Sequence, residues 1–125
     1  MNSRTRLLRQ VHPACVQQGR ITSQVFRPTP KDEGKLSVYD GDLISAEKAW
    51  EHYTQRLELR SAGVVAVTEG ECRDLGLPVL SDPKTFREHV LIDFSALPDK
   101  EVKRKAQSLK TTAMARGWLL HENER

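Results

Sequence analysis

Apolar and polar residues fall along the chain in stretches that predict five strands and two long helices. Leu7 to Val11 reads as a first strand, stopped at His12-Pro13 because proline has no N–H for a ladder. Ala14 to Gln18 predicts one helical turn ending at Gly19. Ile21 to Arg27 carries β-branched and aromatic residues in partial alternation and predicts a second strand. Pro28 to Gly34 is a proline- and glycine-punctuated loop, and Leu36 to Tyr39 a third strand closed by Asp40-Gly41.

Helical spacing begins at Ser45, whose hydroxyl can accept a free N–H at a helix start. Ala46, Trp50, Tyr53 and Leu57 then form one apolar stripe, predicting a helix over 45–60. Gly63 to Val67 is nearly all apolar and predicts a central strand buried on both faces. Thr68 and Glu71 have capping-box spacing for a short helix ending at Gly76. Asp82-Pro83 predicts a short turn and His89 to Phe94 a further strand. Val102, Ala106, Leu109 and Ala113 predict a last helix over 98–116, ended by Gly117. Trp118 to Leu120 adds an edge strand or folds back on the core. Strands first and strand–helix pieces later favour an α+β fold over a doubly wound sheet. The expectation is a single α+β domain over 1–125, a mixed β-sheet with two main helices packed on it, and mobile ends at 1–6 and 121–125.

Composition changes this picture little. Of 125 residues, 38% are hydrophobic and 30% charged, the balance of a soluble globular chain. No stretch has signal-peptide or membrane-span character, so the expected location is the cytoplasm, with no membrane contact. Cys15 and Cys72 have no C-x-x-C spacing and are expected to be reduced thiols; with four scattered histidines, no metal site is expected.

Charge is unevenly placed. Residues 1–35 carry seven Lys/Arg against two acids, residues 36–98 six against eleven, and residues 99–125 seven against four. Basic ends around an acidic middle neutralise one another if packed together. Otherwise they offer a face to nucleic acid, with Lys100, Lys103, Arg104 and Lys110 of the last helix as its contacts. Basic residues without interleaved aromatics favour the first reading.

The chain has no phosphate-binding loop, no G-x-G-x-x-G, no G-x-S-x-G and no H-E-x-x-H, which disfavours kinases, dinucleotide-binding Rossmann domains, serine-elbow hydrolases and zincins. A polar group remains in the first forty residues: Arg9 and His12 at the end of one strand, Ser23 and Arg27 on the next, Ser37 and Tyr39 on the third. If these strands are neighbours, their ends line one cleft. Arginine can then clamp a phosphate, histidine donate to a ribose hydroxyl and tyrosine stack on a planar ring. The alternative, favoured residue by residue, is that His12-Pro13 shapes a turn and Arg9 and Arg27 face water or the acidic helix. His89 reads as a half-buried strand-end histidine, and Glu47, Glu51 and His52 as residues of an exposed helix face.

Two resemblances follow from these residues. The segments Arg9-x-x-His12-Pro13, Ser23-x-x-Phe26 and Leu36-Ser37-Val38, with the later Glu88-His89-Val90, resemble a family of small bacterial proteins that carries no established activity. The order strand, turn, strand, loop, tyrosine-bearing strand and helix is similar to the start of ADP-ribosyltransferase-like folds, including RES-type toxins that consume NAD. That likeness implies Arg9 or His12 on the nicotinamide ribose, Tyr39 on nicotinamide and Glu88 as the late acid. No H-G-T triplet follows the first strand, no Y-x-A stands at Tyr39, and Glu88 has no E-x-E context.

The functional expectation is a small bacterial accessory or binding protein without a cofactor, acting through a protein partner; a defence or toxin–antitoxin setting is implied by the resemblance alone. The alternative is an NAD-using enzyme with Arg9, His12, Tyr39 and Glu88 as catalytic residues and Ser23, Arg27 and Ser37 on the ligand. A second alternative is a nucleic-acid binder using the basic ends.

Overall fold

The computed structural model describes residues 1–124. Its strands are β1 (Arg6–Gln10), β2 (Val16–Gln17), β3 (Arg20–Ile21), β4 (Lys35–Asp40), β5 (Gly63–Thr68), β6 (Val79–Ser81), β7 (His89–Asp93) and β8 (Leu120–His121). Its α-helices are α1 (Ala46–Glu51), α2 (Glu69–Asp74) and α3 (Asp99–Arg116). The chain forms the expected α+β domain, with a six-stranded sheet ordered β6-β7-β4-β1-β5-β8, a β2–β3 hairpin, and helices packed on the sheet.

Every pairing between neighbours in the sheet is antiparallel. The strand–helix–strand pieces do join strands of the same direction, but other strands lie between them. β1 occupies the slot between β4 and β5 and pairs with both.

Alternation along the strands separates two cores. Leu7 and Val11, Leu36 and Val38, Val65 and Val67, and Val90 and Ile92 face α3 with its fully buried Ala106, Leu109 and Ala113. Leu8, Tyr39, Val64 and Ala66 face α1 through Ala49, Trp50 and Tyr53. Since β5 is covered on both sides, an all-apolar strand is what its position requires. Thr68 and Glu71 form both bonds of the capping box at α2, and Gly117 closes α3 with φ 91°.

Several expectations are corrected. The strand expected over Ile21–Arg27 ends at Ile21, and Ser23–Phe26 is a single-turn helix. Consecutive burial of Val25 and Phe26 in the α3 core needs a turn, because neighbours on a strand point to opposite faces. The helical turn expected at 14–18 is a turn at Pro13–Cys15, after which Gln18-Gly19 (φ 53° and 78°) close the hairpin as a two-residue loop. The helix expected over 45–60 is regular only to Glu51; His52–Arg56 continue as a wider π-turn. The extra residue in that turn rotates the stripe, leaving Leu57 exposed. At the chain's start, outside these corrections, Thr5 is buried and donates to Asp42, and Ser3 O accepts from Gly70 N at 3.0 Å. At the other end His121 belongs to β8 and Glu122 N donates to Ala62 O; Arg125 lies outside the described residues.

Candidate functional site

β1 and β4 pair at Leu7–Asp40 and Leu8–Tyr39 and then part, although each stays paired to its outer neighbour, β1 as far as Gln10 and β4 as far as Lys35. The parting opens the middle of the sheet. Arg9 bridges the gap, its Nη1 donating to Ser37 O at 2.9 Å and its Nε to Val25 O at 2.7 Å. A side chain thus satisfies the Ser37 carbonyl that a continued ladder would have used, and ties the gap to the turn at Ser23–Phe26.

A cavity of about 420 Å³ lies at this opening. Sheet residues Arg9, Gln10, Ser37, Tyr39 and His89 wall it, and Tyr53, Leu57 and Leu59 close one side and Phe86 another. The π-turn after α1 delivers Tyr53 and Leu57 to the wall. The rings of Tyr39, His52, Phe86 and His89 pack against one another with centroids 4.7–5.6 Å apart.

Three polar features stand out. Burial draws the half-buried Arg9 guanidinium below its usual pKa, countered in part by Tyr53 and Asp32, and among the described residues no carboxylate forms an ion pair with it. Gln10 is 5% exposed; its Oε1 accepts from Ser61 Oγ at 2.7 Å, while its Nε2 is buried with no hydrogen-bond partner among the described residues. Ser37, His89 and Asp82 form a chain, with Ser37 Oγ 3.0 Å from His89 Nε2 and His89 Nδ1 2.9 Å from Asp82 Oδ2. Hydrogen bonds from Thr85 and then His89 hold Asp82 below the usual carboxylate range. Beside this chain the Tyr39 hydroxyl meets His52 Nδ1 at 2.7 Å. Burial, then the negative charge of Tyr53 and Glu88, raises its pKa, so it keeps its proton.

Of the residues expected to share a cleft, Arg9, Ser37 and Tyr39 meet at the cavity. His12 does not: its Nδ1 accepts from Ala14 N at 3.0 Å and caps the turn at Pro13. Ser23 lies in a separate depression with Arg20, Thr22 and Lys110, and Arg27 in a groove with Pro28, Phe94 and Val102. Glu88 acts on Tyr39 only by its charge, and its carbonyl accepts from Asp40 N. On α3, Lys103 and Arg104 pair with Asp99 and Glu101, which spends part of the basic face that also holds Lys100 and Lys110.

The sequence reading missed Gln10, Asp82, Phe86 and the role of His89. A signal existed for His89. Ser37 and Tyr39 share one strand face, and pairing of Tyr39 with His89 puts all three on it. No signal foretold that β1 and β4 part.

Among the described residues, no group of three or more His, Cys, Asp or Glu is placed to hold a metal ion, and no helix is long and apolar enough to cross a membrane. Comparison with protein-family models, curated proteins and solved structures gives no match.

Proposed function

We propose that the protein binds a small carboxylate-bearing aromatic molecule in the cavity between β1 and β4. One observation carries this reading. Arg9 is a half-buried cation in the cavity wall with bonds to two carbonyls and an ion pair to none of the described residues. A charge withdrawn from water costs free energy that Asp32, also on the cavity wall, offsets only in part and without an ion pair, and a ligand carboxylate supplies the rest. The rings of Tyr39, Tyr53 and Phe86 offer a flat apolar body its contacts. A volume of about 420 Å³ falls in the lower part of the range for small-molecule sites.

The NAD reading shares the anion and the planar ring, but it loses His12, which lies away from the cavity. Action through a protein partner is less supported. Two of the exposed apolar side chains, Leu57 and Leu59, already belong to the cavity wall.

Thermal-shift titrations with benzoate, neutral benzamide and NAD test the reading. Benzoate at about 100 times its dissociation constant should add about 2.7 kcal/mol of stability and raise Tm, with benzamide much weaker. Equal effects of benzoate and benzamide would reject the role of Arg9. A shift with NAD alone would favour the nucleotide reading.

A further inference from the structure

We propose that the cavity is also a hydrolytic site in which Ser37 is the nucleophile, His89 its general base and Asp82 the positioning residue, cleaving a small carboxylic ester. The proposal rests on the ligand cavity described above. An ionised carboxylate only accepts, so the hydrogen lies on His89 Nδ1 and is donated to Asp82 Oδ2. That leaves Nε2 as an acceptor, and the Ser37 hydroxyl 3.0 Å away donates to it. This is the bonding order of a serine nucleophile, its base and the acid that orients the base, which is recognised by geometry rather than by sequence motif.

The fold explains how residues this far apart in sequence meet. Tyr39 pairs with His89 and Ser37 with Leu91 across β4 and β7, so Ser37 and His89 are diagonal neighbours on one face. Asp82 follows β6 and is held to β7 by its N–H, which donates to His89 O at 2.8 Å. The Thr85 hydroxyl donates to the same Asp82 oxygen at 2.6 Å and fixes the carboxylate. Ser37 is exposed and His89 is 7% exposed, so the nucleophile is reachable while its base is shielded. Gln10 stands two residues beyond the Leu8–Tyr39 pair, across the gap from Ser37 and on the same face. Its unpartnered amide nitrogen and the Arg9 guanidinium are the candidate donors to a developing oxyanion.

In the first step Ser37 Oγ attacks the ester carbonyl carbon and its proton passes to His89 Nε2. The tetrahedral intermediate collapses, the alkoxide leaves with that proton as the alcohol, and an acyl-Ser37 ester remains. Water then attacks the acyl carbon, giving a proton to His89. On collapse the Ser37 oxygen recovers that proton, releasing the carboxylic acid. The balance is ester plus water to acid plus alcohol. The acid released carries the carboxylate that the Arg9 reading accommodates.

The test is covalent labelling by a fluorophosphonate, whose phosphorus takes the serine oxygen and expels fluoride, followed by intact mass and peptide mapping. The folded parent should gain one adduct on Ser37 and hydrolyse p-nitrophenyl acetate above the Ser37→Ala background. His89→Gln should slow labelling roughly 100-fold, and Asp82→Asn should slow it while Asp82→Glu restores part of the rate. An unlabelled folded parent, an adduct elsewhere, or labelling that ignores His89→Gln would overturn the triad. Labelling of the parent protein is decisive without any variant, so a variant that misfolds does not shield the triad from rejection. Benzoate stabilisation of the parent separates the two readings. If benzoate raises the parent's Tm but the parent takes no label, the triad falls and the ligand cavity stands; if the parent shows neither, both fall.

Discussion

At the residue scale, Glu71 shows how one side chain serves several elements. Its carboxylate accepts from Thr68 N at 2.7 Å and from Arg116 at 2.9 and 3.1 Å, tying the start of α2 to the end of α3. Burial raises its pKa, but the bonds from Arg116 and Thr68 outweigh that and hold it below the usual carboxylate range. A depressed folded-state pKa adds stability that is present above the unfolded value and is lost as pH falls through the folded one. Glu71→Gln should therefore lower stability by roughly 1 kcal/mol at neutral pH. Urea melts should also show a shallower decline on acidification through the carboxylate range than in the parent. The capping half of this role was legible in the Thr68–Glu71 spacing, since a box is local. Arg116 was not, because it lies 45 positions away. Cys72 likewise needed the fold. It is fully buried, and its thiol is pushed up to about 12, first by burial and then by Glu71 and Glu69.

At the element scale, periodicity served best where the helix is regular. In the α3 stripe Ala106, Leu109 and Ala113 are fully buried and Val102 half-buried, and Leu109→Ala should cost about 3 kcal/mol in urea melts. The stripe of the earlier helix fails at its last member, because the π-turn over His52–Arg56 changes the phase. Leu57 is 40% exposed and lines the cavity. Leu57→Ser should change stability by less than about 1 kcal/mol, yet reduce the thermal shift with benzoate. A large loss of stability would place Leu57 back in the core. The segment Ile21–Arg27 shows the converse limit. Its composition suits a strand, but the contact of Val25 and Phe26 with α3 decides for a turn.

At the scale of the whole molecule, stability should be graded from the middle of the sheet outward. β5 carries Val64 to Val67, all fully buried under both cores, while the β2–β3 hairpin has two residue pairs and β8 pairs only two residues. Amide hydrogen exchange should be slowest at Val64–Val67 and fastest in the hairpin. Uniform protection would contradict this gradient. The same sheet makes the cavity, since β1 is held on its β5 side while its β4 side opens after two pairs.

The sequence by itself determined the α+β class, the doubly buried β5, the capped α2 and the long α3. Each follows from apolar spacing or from bonds within a few residues, both of which a linear pattern carries. It also singled out Arg9, Ser37 and Tyr39 as chemistry-bearing residues on early strands. Only the tertiary structure decided that Val25 and Phe26 close the α3 core. It alone joined Ser37 to His89, 52 positions away, and opened the cavity between β1 and β4. Strand order and register depend on how both faces are covered at once, and that balance of packing is written in no single segment.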